Sequence, residues 1–150
     1  MEIIERVDMS KKQMSAAIFT LCDHASVVQG TGKFNVMGAF TEWASEEAPA
    51  IAAPFFVALQ IKYDPEIHVP GGKYFVKIRF LDGTDQLAEV GVDVTQSDIV
   101  PPDDMDLVLN VSVQLNGIIL NRFGVYDLVV LRDDLEFGRT QFALRQGTKK

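Results

Sequence analysis

The chain of 150 residues holds one cysteine and two histidines. A lone thiol, Cys22, excludes an internal disulfide framework and suits a reducing, cytoplasmic setting, so the fold has to be held by packing. Cys22, His24 and His68 together fall short of the four nitrogen or sulfur ligands of a structural zinc site. Long apolar runs are missing too. The richest, APAIAAPFFVAL at 48–59, is broken by Pro49 and Pro54, far short of the roughly 18 residues of a membrane helix. The opening MEIIERVDMSKKQ is charged and lacks the apolar centre of a secretory signal. Basic residues are scarce: 14 Lys and Arg against 21 Asp and Glu give a net charge of −7. Such a surface repels nucleic acid and anionic membrane, and neither is expected as a partner. The Gly-Lys segment GTGK at 30–33 lacks the spacing and following helix of a phosphate loop, and no cofactor is expected.

What the chain does have is alternation with a period of two. Tyr74, Val76, Ile78 and Phe80 point one way, and Phe75, Lys77, Arg79 and Leu81 the other. Leu107, Leu109, Val111, Val113 and Leu115 share a face, as do Phe55, Val57, Leu59, Ile61 and Tyr63. Each run reads as a strand with one buried side. Further strands are expected at about 16–23, 34–42, 86–94, 124–131 and 136–144. Turns close them: GTGK at 30–33, DGTD at 82–85 and RDDLE at 132–136. Asn116-Gly117 is the strongest hairpin signal and can divide 107–123 into two strands. Two prolines make DIVPPDDMD at 98–106 a loop. Only 2–14, with Ile3 and Val7 one turn apart, has a helical spacing. The fold class is all-β: an antiparallel β-sandwich of about eight strands with at most one short N-terminal helix. Residues 1–15 form an arm or short helix, 16–146 a single domain, and 147–150 a basic tail.

Two segments carry a family resemblance. IFTLCDHASVVQGTGKFNVMGAFTEW at 18–43 has an opening strand ending in Cys-Asp, a Gly-Lys turn and then FNVMGAF. GVYDLVVLRDDLEFGRTQFAL at 124–144 has Gly-x-Tyr, a strand, an acidic turn and a closing amphipathic strand. Together with GGKYFVKIRFLDGTD these resemble a family of small bacterial β proteins known only as a domain of unknown function, over roughly residues 16–146. The resemblance implies a bacterial or phage-associated origin and a compact β domain. It brings no activity, cofactor or catalytic residue.

The carboxylates are the first candidates for chemistry. Asp82 and Asp85 flank Gly83 in a tight turn, where aspartate bonds its own backbone; two turn residues cannot supply the six to eight oxygens of a calcium site. If successive connections emerge at alternate ends, the loops at 30–33, 64–72, 95–105 and 132–135 share one end. That end gathers Asp64, Glu66, His68, Asp103, Asp104, Asp133 and Asp134. Asp103, Asp104, Asp133 and Asp134 are the metal candidates of this cluster, against the plainer reading that an acidic protein has acidic loops. Cys22 and His24 share a strand face but lack the third, orienting group of a nucleophilic centre, so Cys22 is read as a small buried hydrophobe and no enzyme is expected. Trp43 and Phe55 bound an apolar connection that either caps one mouth of the fold or offers an interaction patch. The expectation is a non-enzymatic protein-interaction or assembly module, a homo-oligomer or the mate of another protein, with Trp43 and Phe55 at the contact. The alternative is a small-ligand or calcium-dependent binding domain using the acidic loop end.

Overall fold

The computed structural model describes residues 14–28, 33–64, 67, 69–96 and 107–147. Eleven strands follow one another: β1 (Met14–Val28), β2 (Lys33–Phe40), β3 (Glu42–Ser45), β4 (Ala50–Ile51), β5 (Phe55–Tyr63), β6 (Lys73–Asp82), β7 (Asp85–Thr95), β8 (Leu107–Leu115), β9 (Ile119–Leu120), β10 (Gly124–Arg132) and β11 (Leu135–Gln146). They form a four-stranded sheet ordered β2-β1-β5-β8, a five-stranded sheet ordered β3-β11-β10-β6-β7, and a two-stranded ribbon of β4 and β9. Every pairing is antiparallel except β3 with β11. There is no α-helix among the described residues. The eight long strands lie where the alternation places them. The expected count of about eight is corrected to eleven in three sheets among the described residues, because β3, β4 and β9 are too short for a period of two to show. The proposed helix at 2–14 lies outside the described residues except for Met14, which opens β1 and is buried.

One core joins the two large sheets. The inner face of the four-stranded sheet supplies Leu21, Val57, Leu59, Ile61 and Val111; the five-stranded sheet supplies Val76, Ile78, Phe80, Leu128 and Val130. Tyr74, Leu109 and Val113, also expected inside, are partly buried and pack against this core. Each fully buried aliphatic or aromatic side chain stabilises the fold by about 1.5–3 kcal/mol relative to exposure. A single slip of register would turn a whole set outward, which is why the alternation specifies the pairing so firmly.

β1 is paired on both edges, by β2 and by β5, and both partners run antiparallel to it. β2 and β5 therefore run the same way, and the chain between them has to travel back. β3 makes that return trip, in the opposite sheet. The missed strand corrects the expected arrangement of loops. The paired strand ends Val28 and Lys33 lie toward the end that holds the 46–54 connection and the 83–84 turn, away from the turn at 133–134. A second correction concerns Asn116-Gly117. Gly117 does take a positive φ of 74°, but β8 pairs with β5 while β9 pairs with β4, so the segment is a corner between sheets and not a hairpin.

β1 and β11 come close across the core. The β1–β5 register shifts between Ala16 and Ile18, and the β10–β11 register between Val130 and Leu131, so each strand bends locally. A Cβ at Gly138 would lie 2.6 Å from the Ala16 Cβ and 2.8 Å from a Val130 methyl group. Glycine is required there by space. We expect Gly138→Ala to cost about 1–3 kcal/mol as an overpacking change. Adding Ala16→Gly should recover part of that loss, because the two sites share one contact. Urea unfolding of both variants measures this; equal stability of Gly138→Ala and the parent protein would contradict the contact.

Candidate functional site

At Thr41 the chain leaves the four-stranded sheet and enters the five-stranded one, and its backbone carbonyl accepts from the Ala143 N–H at 3.0 Å. The crossing opens a cleft of about 920 Å³ between the end of β2, strand β3 and the segment leading through β4 to β5. Just before it, Gly38 takes a φ of +66° inside β2, and a side chain there would collide with the Asp23 carboxylate. Glycine thus lets Asp23 lie flat over β2 at the cleft wall. Past β3, the Ser45 hydroxyl donates to the Glu47 carbonyl at 2.8 Å and folds the acidic segment back on itself.

The floor is aromatic and aliphatic. The Trp43 ring meets Phe40, Phe55 and Phe142 edge-on at centroid distances of 5.0, 5.0 and 5.7 Å. Phe55 in turn meets Phe80 at 5.9 Å, so the cleft floor is continuous with the core. Leu120 and Leu144, both buried, complete it. The rim carries four carboxylates, Asp23, Glu42, Glu46 and Glu47, and among the described residues no lysine or arginine lines the cleft. Among the described residues, Glu42 alone of these has a cationic neighbour within ion-pair distance, Arg145 at 3.1 Å. Beside the rim, Ile51 and Ile119 stand directly opposite each other across the β4–β9 ribbon and remain 73% and 51% exposed.

Trp43 and Phe55 are thus brought together. Trp43 is half-buried, whereas Phe55 is buried and forms floor, not accessible surface. The residues that sequence reasoning missed are Asp23 and the acids of EWASEE, whose shared destination depends on β3, and the Ile51–Ile119 pair, which depends on two two-residue strands. Of the metal candidates, Asp133 and Asp134 are among the described residues. Asp133 and Asp134 both take positive φ, 51° and 64°, as the two central residues of the β10–β11 turn. That is the mirror-image turn that matches strand twist, and aspartate tolerates it. Asp103, Asp104, Glu66 and His68 lie outside the described residues. Among the described residues no group of three or more His, Cys, Asp or Glu is placed to hold a metal ion.

Asp82 has a structural occupation. Its carboxylate accepts from the Arg122 guanidinium, at 2.9 Å from Nε, and Arg122 Nη2 also donates to the Val125 carbonyl at 3.1 Å. The Arg122 N–H donates to the Tyr126 hydroxyl at 3.0 Å, while that hydroxyl donates to the Arg122 carbonyl. The β6–β7 turn, the β9–β10 connection and the core are locked together by this one clamp. Tyr126→Phe leaves both backbone groups of Arg122 without their partner; a loss of about 1–3 kcal/mol in chemical denaturation is expected, with spectra otherwise unchanged.

Cys22 is fully buried, its Sγ 3.7 Å from the Phe56 carbonyl. His24, in register on the same face, is exposed and packs edge-on against Phe56 at 4.7 Å. Burial pushes the Cys22 thiol above its ordinary pKa; a backbone hydrogen bond at His24 works against the rise and the Asp23 charge adds to it. The thiolate, the reactive form, is therefore suppressed at neutral pH. Modification by a disulfide reagent at pH 8 should be far slower than for free cysteine and should rise in step with urea unfolding. A native rate matching that of unfolded protein would reverse this assignment.

No curated protein matches the chain. Among solved structures it is similar to the alkylpurine DNA glycosylase AlkC of Pseudomonas fluorescens, bound to DNA containing an abasic-site analogue, at 9% identity and a TM-score of 0.43. That match covers 89% of this chain but 30% of the glycosylase chain, a likeness too slight to bear on function. A family model matches residues 17–145, nearly the whole described chain, and the protein belongs to that family, a family of unknown function (DUF6941).

Proposed function

We propose that the protein is a non-enzymatic protein-interaction module: a β-sandwich scaffold whose two large sheets hold open the cleft around Trp43, into which a segment of another protein docks. The exposed Ile51–Ile119 pair carries the proposal. Two isoleucines side by side in water, next to a half-buried tryptophan and an open cleft, are the arrangement that a partner chain covers. The acidic rim selects the partner's charge. A segment with aliphatic residues and Lys or Arg satisfies both features, and phosphate-rich nucleic acid or anionic membrane satisfies neither. A cytoplasmic site of action fits the reduced thiol. Nothing in this proposal uses chemistry: the buried Cys22 serves packing, and the carboxylates act as charges.

The chain has one tryptophan, so its fluorescence reports on the cleft directly. Titration with an arrayed library of extended peptides that combine Lys or Arg with Ile, Leu or Val should give saturable shifts for a subset. The affinity of that subset should fall as salt rises. Ile51→Asp and the pair Glu46→Lys/Glu47→Lys should each abolish the shift without lowering thermal stability, since all three side chains lie at the surface rim. A library in which no peptide binds, or binding that survives both sets of changes, would defeat the proposal.

A further inference from the structure

We infer that the occupant of the cleft binds as an added β-strand along the free edge of β3, and that it is a short segment in which aliphatic residues alternate with Lys or Arg. This rests on the cleft being a docking site and adds the mode of docking and the pattern selected. β3 ends the five-stranded sheet and, among the described residues, pairs with β11 alone. The Thr41 and Ser45 carbonyls accept from the Ala143 and Gly147 N–H groups, each at 3.0 Å. Backbone groups of successive strand residues point to opposite edges, so Thr41, Trp43 and Ser45 address β11. Glu42 and Ala44 each turn an N–H and a C=O the other way, out of the sheet. The returning chain does not take that place, because β4 pairs with β9. Glu42–Ser45 instead line the open cleft of about 920 Å³.

Edge groups of this kind are a template for a further strand. The far edge of the same sheet, β7, is guarded by Asp85, Glu89 and Asp93. β2 also lines the cleft, but its ladder is interrupted by the φ of +66° at Gly38. β3 carries one charge, Glu42, and Arg145 pairs with it. Strand geometry then assigns the ligand's side chains. Trp43 turns into the fold against Phe55 and Phe142, while Glu42 and Ala44 are exposed. In an added strand every second side chain falls on the Trp43 side and enters the apolar cleft, and the others stay at the rim. The rim carries Asp23, Glu46 and Glu47, so the intervening residues are Lys or Arg. The four residues of β3, at ~3.3 Å each, make an edge of roughly 13 Å. That is the length of a short peptide segment and not of a domain interface, and the complex is a weak, reversible one.

Amide hydrogen exchange and tryptophan fluorescence on the full chain test this. In the free protein the Glu42 and Ala44 amides should exchange about tenfold or more faster than the Trp43 amide. The capped peptide Lys-Val-Lys-Val-Lys-Val-Lys should bind saturably, and about fivefold or more tighter than the same residues ordered Lys-Lys-Val-Val-Val-Lys-Lys. Its binding should slow exchange at Glu42 and Ala44. Ala44→Pro removes an outward N–H that β11 does not use, a change an edge strand tolerates. It should weaken binding about fivefold with the circular dichroism spectrum retained, whereas Ala44→Ser should bind as the parent protein does. Equal affinity for the two peptide orders, or binding that leaves exchange at both amides unchanged, overturns the inference and leaves the cleft reading standing. Protection of both amides in the free protein also overturns it, since the edge is then already taken. Library peptides that bind when neither of this pair does overturn this inference alone, and a library without binders overturns both.

Discussion

The rest of the structure depends on β1 being paired on both edges by strands that run the same way. Because β1 lies between β2 and β5, the chain cannot pass from β2 to β5 as a simple up-and-down neighbour. The chain has to cross to the other sheet and return before β5 can start. The crossing at Thr41 and the short parallel strand β3 follow from that requirement. So does the cleft, because the returning segment spans the gap between two sheet edges instead of filling it. Trp43 sits at the crossing for a packing reason. Its ring bridges Phe40 on one sheet and Phe142 on the other, and Phe55 lies behind both. The half-buried ring on the cleft floor is thus anchored in the same aromatic cluster that holds the sheets together.

Charge is distributed unevenly over this frame. The five-stranded sheet carries its Arg, Glu and Asp residues in neighbouring pairs on the solvent side, where each pair contributes little stability but keeps the face wet. The stems of such residues also cover apolar positions beneath them, as the buried Val129 and Leu131 show. The four-stranded sheet does without this device. Along its central rows small, amide and apolar side chains make the outer surface, and the Gln60–Asn110 hydrogen bond ties two strands across it. The excess negative charge collects instead at the loop ends and at the cleft rim. The cleft rim and the outer face of the four-stranded sheet thus differ in kind: one gathers carboxylates, and the central rows of the other carry none.

How much of this was legible in the sequence follows from length scales. A period of two needs about four residues to be seen, so β5, β6, β8 and their core residues Val57, Ile78 and Val111 could be read directly. β4 and β9 offer two residues each, and their contact joins positions far apart in the chain, so Ile51 facing Ile119 left no local signal. The turn aspartates were legible because their chemistry is local. Asp133 and Asp134 take positive φ, a conformation that aspartate tolerates in a tight turn. Asn116-Gly117 misled for the same reason: Gly117 adopts the conformation the dipeptide favours, yet what the turn connects is decided by partners in other strands. Local sequence specifies conformation, and topology specifies neighbours. A binding surface is made of neighbours. That is why Trp43 could be singled out by its chemistry, while the carboxylates around it could not be assembled into a rim until β3 was placed.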